Sequence, residues 1–162
     1  MEFVTISEDN YKYVAKIYEE GIKTGVATFE TSVPPWKAWD ASHFPFSRIA
    51  LLNKNQMLGW AALSPVSIRK VYCGVAEVTV YVTKNERAKG FGTRLLNALI
   101  AQSEKNNIWT LQSSIMELNQ ASLKMHLSSG FREIGYREKI GNLNGKWLNN
   151  IILERRSQRI GL

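Results

Sequence analysis

Between Glu77 and Leu96 the chain runs Glu-Val-Thr-Val-Tyr-Val-Thr-Lys-Asn-Glu-Arg-Ala-Lys-Gly-Phe-Gly-Thr-Arg-Leu-Leu. A β-branched run passes through a short polar joint into a basic Gly-x-Gly turn, and the turn opens an amphipathic helix. A strand that ends at such a turn points backbone N–H groups and the positive end of a helix dipole into one spot. That is an anion site built by the main chain. Glycine there lets a bulky phosphate approach where a Cβ would collide. Lys84, Arg87, Lys89 and Arg94 add side-chain charge around it. The joint reads as a cradle for a diphosphate-bearing cofactor.

The rest of the chain narrows the choice. Its 162 residues suffice for one domain with a real core, and no linker, repeat or low-complexity segment divides residues 1–162. No apolar run approaches a membrane span, and Met1-Glu2-Phe3-Val4 lacks a signal pattern. Cys73 is the only cysteine, which fits a reducing, cytoplasmic setting without an internal disulfide. One Cys and two His argue against a structural metal site. The net charge of +7 admits nucleic acid, a membrane surface or a polyanionic small molecule as partner. The densest basic cluster, Glu154 to Arg159, reads as a solvated end.

Taken in order, Phe3–Ile6 reads as a strand. Ser7 caps a helix whose core face carries Tyr11, Val14, Ala15, Ile17 and Tyr18. Thr28–Thr31 is a loop or short extended piece. Pro34-Pro35 forces an extended lead-in to a second helix bearing Trp36, Trp39, Ala41 and His43, ended by Pro45. Ser47–Leu52 and Met57–Leu63 form a hairpin around a polar turn. Ser64–Arg69 is a loop and Tyr72–Val82 a long strand. The helix after the glycines runs to about Lys105, with Leu95, Leu96, Leu99 and Ile100 on its core face. Ile108–Ile115 reads as a buried strand reached by a parallel crossover. Asn119–Ser128 is a helix stopped by Ser129-Gly130. Phe131–Ile140 and Lys146–Leu153 are strands around a Gly141–Gly145 turn. The pattern predicts one α+β domain with a mixed, mostly antiparallel sheet of about seven strands.

Two phosphate motifs fail on this chain. No stretch matches Gly-x4-Gly-Lys-Ser/Thr. Gly90-Phe91-Gly92 has Leu95 where a dinucleotide fingerprint needs its third glycine. What remains, Arg87-Ala88-Lys89-Gly90-Phe91-Gly92 after a strand, resembles the Arg/Gln-x-x-Gly-x-Gly/Ala motif of the GNAT acetyltransferase superfamily. Asn119-x2-Ser122-x3-His126-x3-Gly130-Phe131 resembles that superfamily's second cofactor segment, with His126 where a Tyr is usual. Ala27–Thr31, Gly59–Ser67, Val80–Val82, Ile108–Gln112 and Gly145–Arg156 extend the resemblance, over roughly residues 2–156, to its phosphinothricin/methionine sulfoximine acetyltransferase branch.

The resemblance implies a GNAT-like fold with about four helices, acetyl-CoA as co-substrate, no metal, a small amino-acid-like amine as acceptor and a homodimer. It puts the pyrophosphate on Arg87 and the N–H groups of Ala88, Lys89, Gly90, Phe91, Gly92 and Thr93. Asn119, Ser122 and Ser128 belong to the second cofactor segment. It also implies that the strand through Val80, Tyr81 and Val82 splays from its parallel neighbour, leaving backbone groups for the pantetheine arm and the acetyl carbonyl.

Acetyl transfer to an amine needs a base, donors for the developing oxyanion and an exit for the thiolate. Glu77 stands in a strand otherwise suited to burial, on one face with Thr79 and Tyr81. Spacing alone leaves it either a base with raised proton affinity or an edge carboxylate that is solvated or paired with Lys. The resemblance implies the base. His126 is either a donor to the leaving sulfur or a packed helix histidine. Arg69 is suited to grip a substrate carboxylate, and the resemblance makes Lys70, Val71 and Tyr72 its companions. Phe29 and Glu30 form an opposite wall, with core packing the alternative for Phe29. Trp36 and Trp39 read as packing residues, within this chain or against a second subunit, rather than as ligand stackers. Asn149-Asn150 stands where relatives often carry an Asp, and Cys73 has no His/Asn partner pattern for a nucleophile.

Other functions fit less well. A nucleic-acid module would need interleaved aromatic and basic strands or a basic recognition helix, and neither is present. Acetylation of a polyamine calls for an acidic pocket, which Arg69 and Lys70 oppose; a protein N-terminus is the other acceptor that the same fold admits.

Overall fold

The computed structural model describes residues 1–162. Its strands are β1 (Glu2–Thr5), β2 (Arg48–Asn53), β3 (Gln56–Pro65), β4 (Val75–Val82), β5 (Thr110–Met116), β6 (Arg132–Leu143) and β7 (Lys146–Arg156). The helices are α1 (Tyr11–Ile22), α2 (Trp36–Ser42), α3 (Phe91–Lys105) and α4 (Gln120–Ser128). One seven-stranded sheet has the order β1-β2-β3-β4-β5-β7-β6. Every neighbouring pair is antiparallel except β4 and β5. This is the expected α+β architecture, with the crossover through α3 supplying the single parallel pair.

Each sheet face is closed by helices whose apolar spacing fits it. Leu95, Leu96, Leu99 and Ile100 of α3 pack on Ile49, Ala61, Leu63, Ala76, Val78, Leu111 and Leu153. On the other face Tyr11, Val14 and Ile17 of α1 and Trp39 of α2 pack on Ala50, Trp60 and Ala62. Each leucine withdrawn fully from water contributes about 2 kcal/mol. Trp39 is wholly buried, with Tyr11, Trp36, His43 and Trp60 around its rings. Both tryptophans of α2 therefore serve the interior of this chain.

Several boundaries differ from the sequence reading. A 3₁₀ turn over Glu8–Asn10 precedes α1, and Asn10 Oδ1 accepts the Ser7 N–H at 3.0 Å. α2 ends at Ser42, leaving His43 outside it and stacked on Trp39 at 4.1 Å. Lys70–Tyr72 forms a 3₁₀ turn, so β4 starts at Val75 instead of Tyr72. The final hairpin turns at Asn144-Gly145, both at positive φ (50° and 85°), and Leu143 pairs with Lys146. That two-residue turn is what Asn-Gly favours. Gly141, placed in the turn by its glycine, is instead within β6, and a Cβ there would lie 2.5 Å from the Phe29 ring.

The basic tail is not a solvated end. Glu104 of α3 receives Arg155 at 3.3 Å, Arg159 at 3.5 Å and the Ser157 hydroxyl at 2.9 Å. Arg156 donates to the carbonyls of Trp109, Ser157, Ile160 and Gly161. The arginines are used internally to strap the chain end over β5.

Gly59 of β3 faces Val82 of β4, and a Cβ there would lie 2.5 Å from the Tyr81 carbonyl oxygen and 2.8 Å from Leu95 Cδ1. One neighbour is backbone and cannot swing away. Gly59→Ala is expected to cost about 2 kcal/mol, read as a lower urea midpoint; an unchanged midpoint would mean that β3 and β4 part without strain.

Candidate active site

The parallel pair is short. β4 and β5 are in register only from Val75 opposite Thr110 to Glu77 opposite Gln112. Beyond Glu77, β4 stays on β3 through Val82, and β5 stays on β7 through Met116. The two strands therefore diverge, and a cavity of about 570 Å³ runs through the opening. Val78–Val82 and Ser113–Met116 form its edges. On the α3/α4 side it is walled by Gly92, Asn119, Ser122, Met125 and His126; on the other by Val26–Glu30, Met116 and Asn150.

Glu77 sits where the strands part. Its carboxylate shares a face with Thr79 and Tyr81, and a second chamber of about 430 Å³ bordered by Thr28, Glu30, Ser42, His43 and Ser64 also reaches it. The side chain is open to the cavity water, yet protein crowds it enough that burial raises its pKa; the nearby charge of Arg137 works in the opposite sense. A carboxylate in this position binds a proton more readily than one free in solvent.

His126 lies on the opposite side of the opening and is buried. Its Nδ1 is 2.8 Å from the Ser122 carbonyl oxygen. A carbonyl only accepts, so Nδ1 carries the proton and donates. Burial lowers the imidazole pKa, which the bond to Ser122 partly offsets. The neutral ring then has a bare Nε2, and that atom is buried without a partner. Nε2 is an acceptor, not the donor that transfer to a leaving sulfur would require.

At the helix-forming end, Gly90 has φ 84° and precedes α3, whose first turn closes when the Arg94 N–H reaches the Gly90 carbonyl at 3.1 Å. The amides before Arg94 have no helical acceptor. Arg87 spans to the Val82 carbonyl at 3.1 Å and the Glu20 carbonyl at 3.4 Å, fixing the joint to β4 and α1. Asn119 caps α4 by accepting the Ser122 N–H at 3.2 Å.

Of the residues expected from sequence, Glu77, Val80, Tyr81, Val82, Arg87, Gly92, Asn119, Ser122, His126, Phe29 and Glu30 line the one cavity. Ala88, Lys89, Gly90, Phe91 and Thr93 belong to the adjoining turn and the start of α3. Ser128 does not reach the cavity: its hydroxyl bonds the Lys124 and Met125 carbonyls at 2.7 and 3.2 Å. Arg69, Lys70, Val71 and Tyr72 are also outside its walls. They form an exposed turn in which Arg69 lies over the Tyr72 ring at 5.2 Å. Ser113, Ser114, Met116 and Thr28 are wall residues that the sequence reading did not single out. The polar Gln112-Ser113-Ser114 run inside an otherwise apolar strand was the available sign.

Residues 8–152 match the acetyltransferase (GNAT) domain family. The chain is 28% identical over 160 residues to a phosphinothricin N-acetyltransferase of Alcaligenes faecalis, covering 93% of this chain and 79% of that protein. It is 31% identical over 94 residues to an L-methionine sulfoximine/L-methionine sulfone acetyltransferase of Pseudomonas paraeruginosa, covering 58% and 55% of the two chains. The fold matches that of a phosphinothricin acetyltransferase from Sinorhizobium meliloti in complex with acetyl-CoA, with TM-score 0.87, 23% identity and coverage of 96% and 87%.

The lowered pKa of His126 has a consequence for stability. In the unfolded chain the ring takes a proton near pH 6.5, whereas the folded site keeps it neutral to lower pH. Its contribution is present above about pH 6.5 and is lost as pH falls through the depressed folded value. The stability advantage of the wild type over His126→Gln should shrink between about pH 7.5 and about pH 5 in urea titrations. An advantage independent of pH would show that the ring is not held neutral.

Proposed function

The chain belongs to the GNAT acetyltransferase family, and from that premise we propose that it moves the acetyl group of acetyl-CoA to the amino group of a small amino-acid-like substrate, of the phosphinothricin, methionine sulfoximine or methionine sulfone type, by direct attack in a ternary complex. The observation that carries this reading is the divergence of β4 from β5 at Glu77, with one cavity passing through the opening. A thioester reaching in from the α3/α4 side and an amine from the Phe29–Asn150 side would meet beside the carboxylate. The names of the curated relatives support the acceptor class.

In this reaction Glu77 accepts the ammonium proton, and the freed nitrogen attacks the acetyl carbonyl carbon. Main-chain N–H groups on the unpaired edge of Val80–Val82 stabilise the oxyanion. The C–N bond forms, the C–S bond breaks, the thiolate leaves toward α4, and the second proton of the acylated nitrogen passes to the thiolate or to solvent. His126 Nε2 serves as an acceptor for an N–H or S–H of the pantetheine arm. Arg87 and the amides from Ala88 to Thr93 hold the pyrophosphate, with Asn119 and Ser122 along the arm. The same reading takes the working form as a cytoplasmic homodimer; the exposed apolar side chains of Ile68, Val71 and Tyr72 support a subunit contact at that turn.

Acetyl-CoA and a panel of amines that includes phosphinothricin, methionine sulfoximine and methionine sulfone test the reading by thiol release. Release with the amino-acid-like members is expected, and no release with any amine would sink it. Glu77→Gln should lower kcat by about 100-fold or more while leaving the Kd for acetyl-CoA unchanged. Because the Glu77 pKa is raised, the wild-type rate should fall on the acid side above the usual carboxylate range, and that limb should vanish in the variant. Equal turnover in the two proteins would remove Glu77 as the base.

A further inference from the structure

We infer that Arg137 of β6 binds the carboxylate of the acceptor amino acid, with Asn150 of β7 beside it accepting an N–H of the same molecule's ammonium group. The inference rests on the acetyl-transfer reading and names the contacts that select its substrate. Register is the first argument. Glu77 is paired with Gln112, Met116 with Asn150, and Asn150 with Arg137. Paired residues point to the same face of a sheet, as do residues two apart on a strand. Glu77, Gln112, Ser114, Met116, Asn150 and Arg137 therefore share the face that Phe29 covers. Three strand spacings across the sheet and the four residues from Gln112 to Met116 along it, about 20 Å in all, separate the backbones of Glu77 and Arg137, and the two long side chains close about half of that span.

The polar groups on this face are left unmatched. Asn150 is 7% exposed; its Nδ2 donates to Ser114 Oγ at 2.8 Å, and its buried Oδ1 has no partner. An acceptor shut away from water is costly until a donor arrives, and an ammonium group is such a donor. Arg137 is likewise unused. Arg48, Arg132, Arg155 and Arg159 are in ion pairs. Arg87 and Arg156 bond carbonyls, while Arg69 and Arg94 lie over aromatic rings. Arg137 alone has none of these partners and is exposed, paired across β7 with the cavity residue Asn150. A guanidinium matches a carboxylate with two parallel bonds. Burial raises the Glu77 pKa and the Arg137 charge counters it, in keeping with the face the two residues share.

Methionine sulfone and its carboxamide, differing only in the carboxylate, separate this contact from the rest of the site. In Arg137→Gln, kcat/KM for the sulfone should fall about 100-fold, chiefly through KM, and the preference for acid over carboxamide should collapse. Arg137→Lys should restore part of that preference. A preference that survives in Arg137→Gln, or that is lost in Arg69→Gln instead, overturns the assignment. Calorimetric titration of the sulfone into the CoA-bound protein gives a readout without turnover. Carboxylate-dependent binding that Arg137→Gln abolishes, with no turnover by the wild type, would leave the assignment standing and remove acetyl transfer. Turnover with binding unaffected by the variant would do the reverse, and absence of both would overturn both.

Discussion

The site depends on a parallel pairing that stops after three residues. The Gly74 carbonyl accepts both the Trp109 and the Thr110 N–H, at 2.8 and 3.1 Å, and this locks the closed end of the β4–β5 pair. Past Glu77 each strand remains bonded on its outer edge, β4 to β3 and β5 to β7. Their inner edges face each other across the cavity with main-chain groups unpaired by the sheet. A free strand edge readily accepts another extended chain, and an amide-bearing arm of a ligand offers the same groups. The opening is held from below by close helix packing: a Cβ on Gly92 of α3 would lie 2.7 Å from Met125 Sδ of α4. Glycine at that position thus sets how near α4 stands to the turn, apart from any part it plays at a phosphate.

What could be read from the sequence was local. The Gly-x-Gly joint, the apolar stripe of α3 and the helix opening at Asn119 are each written within a few consecutive residues, and each forms a turn or helix where it is read. The divergence at Glu77 is not local, because it follows from which edge of β5 pairs with β7. Nor could the register across the last hairpin be counted while the turn was placed at Gly141–Gly145. With the turn at Asn144-Gly145 and an irregularity between Arg137 and Gly141, Arg137 falls opposite Asn150. Arg69 is suggested by its guanidinium and its loop before β4, but the 3₁₀ turn that follows it directs that guanidinium over Tyr72. Charge counting also misread the tail, since a net charge of +7 says nothing of the acid already waiting in α3.

Desolvation acts on both sides of the opening but with opposite sign. It raises the pKa of Glu77 and lowers that of His126, so each is pushed toward its neutral form. For a carboxylate this strengthens the base; for an imidazole it removes the acid. The direction of proton flow in the proposed reaction follows. A proton taken from the amine has a receptive group at Glu77, next to a second polar chamber that leads away from the diverging strands. The departing sulfur has no matching donor in His126, because Nδ1 is engaged by the Ser122 carbonyl and Nε2 carries no hydrogen. A thiol of reference pKa about 8.5 is a competent leaving group as the thiolate, so the step needs no general acid. Between Glu77 and His126, the carboxylate thus carries the proton transfer, and the histidine shapes and polarises the wall along which the thiolate leaves.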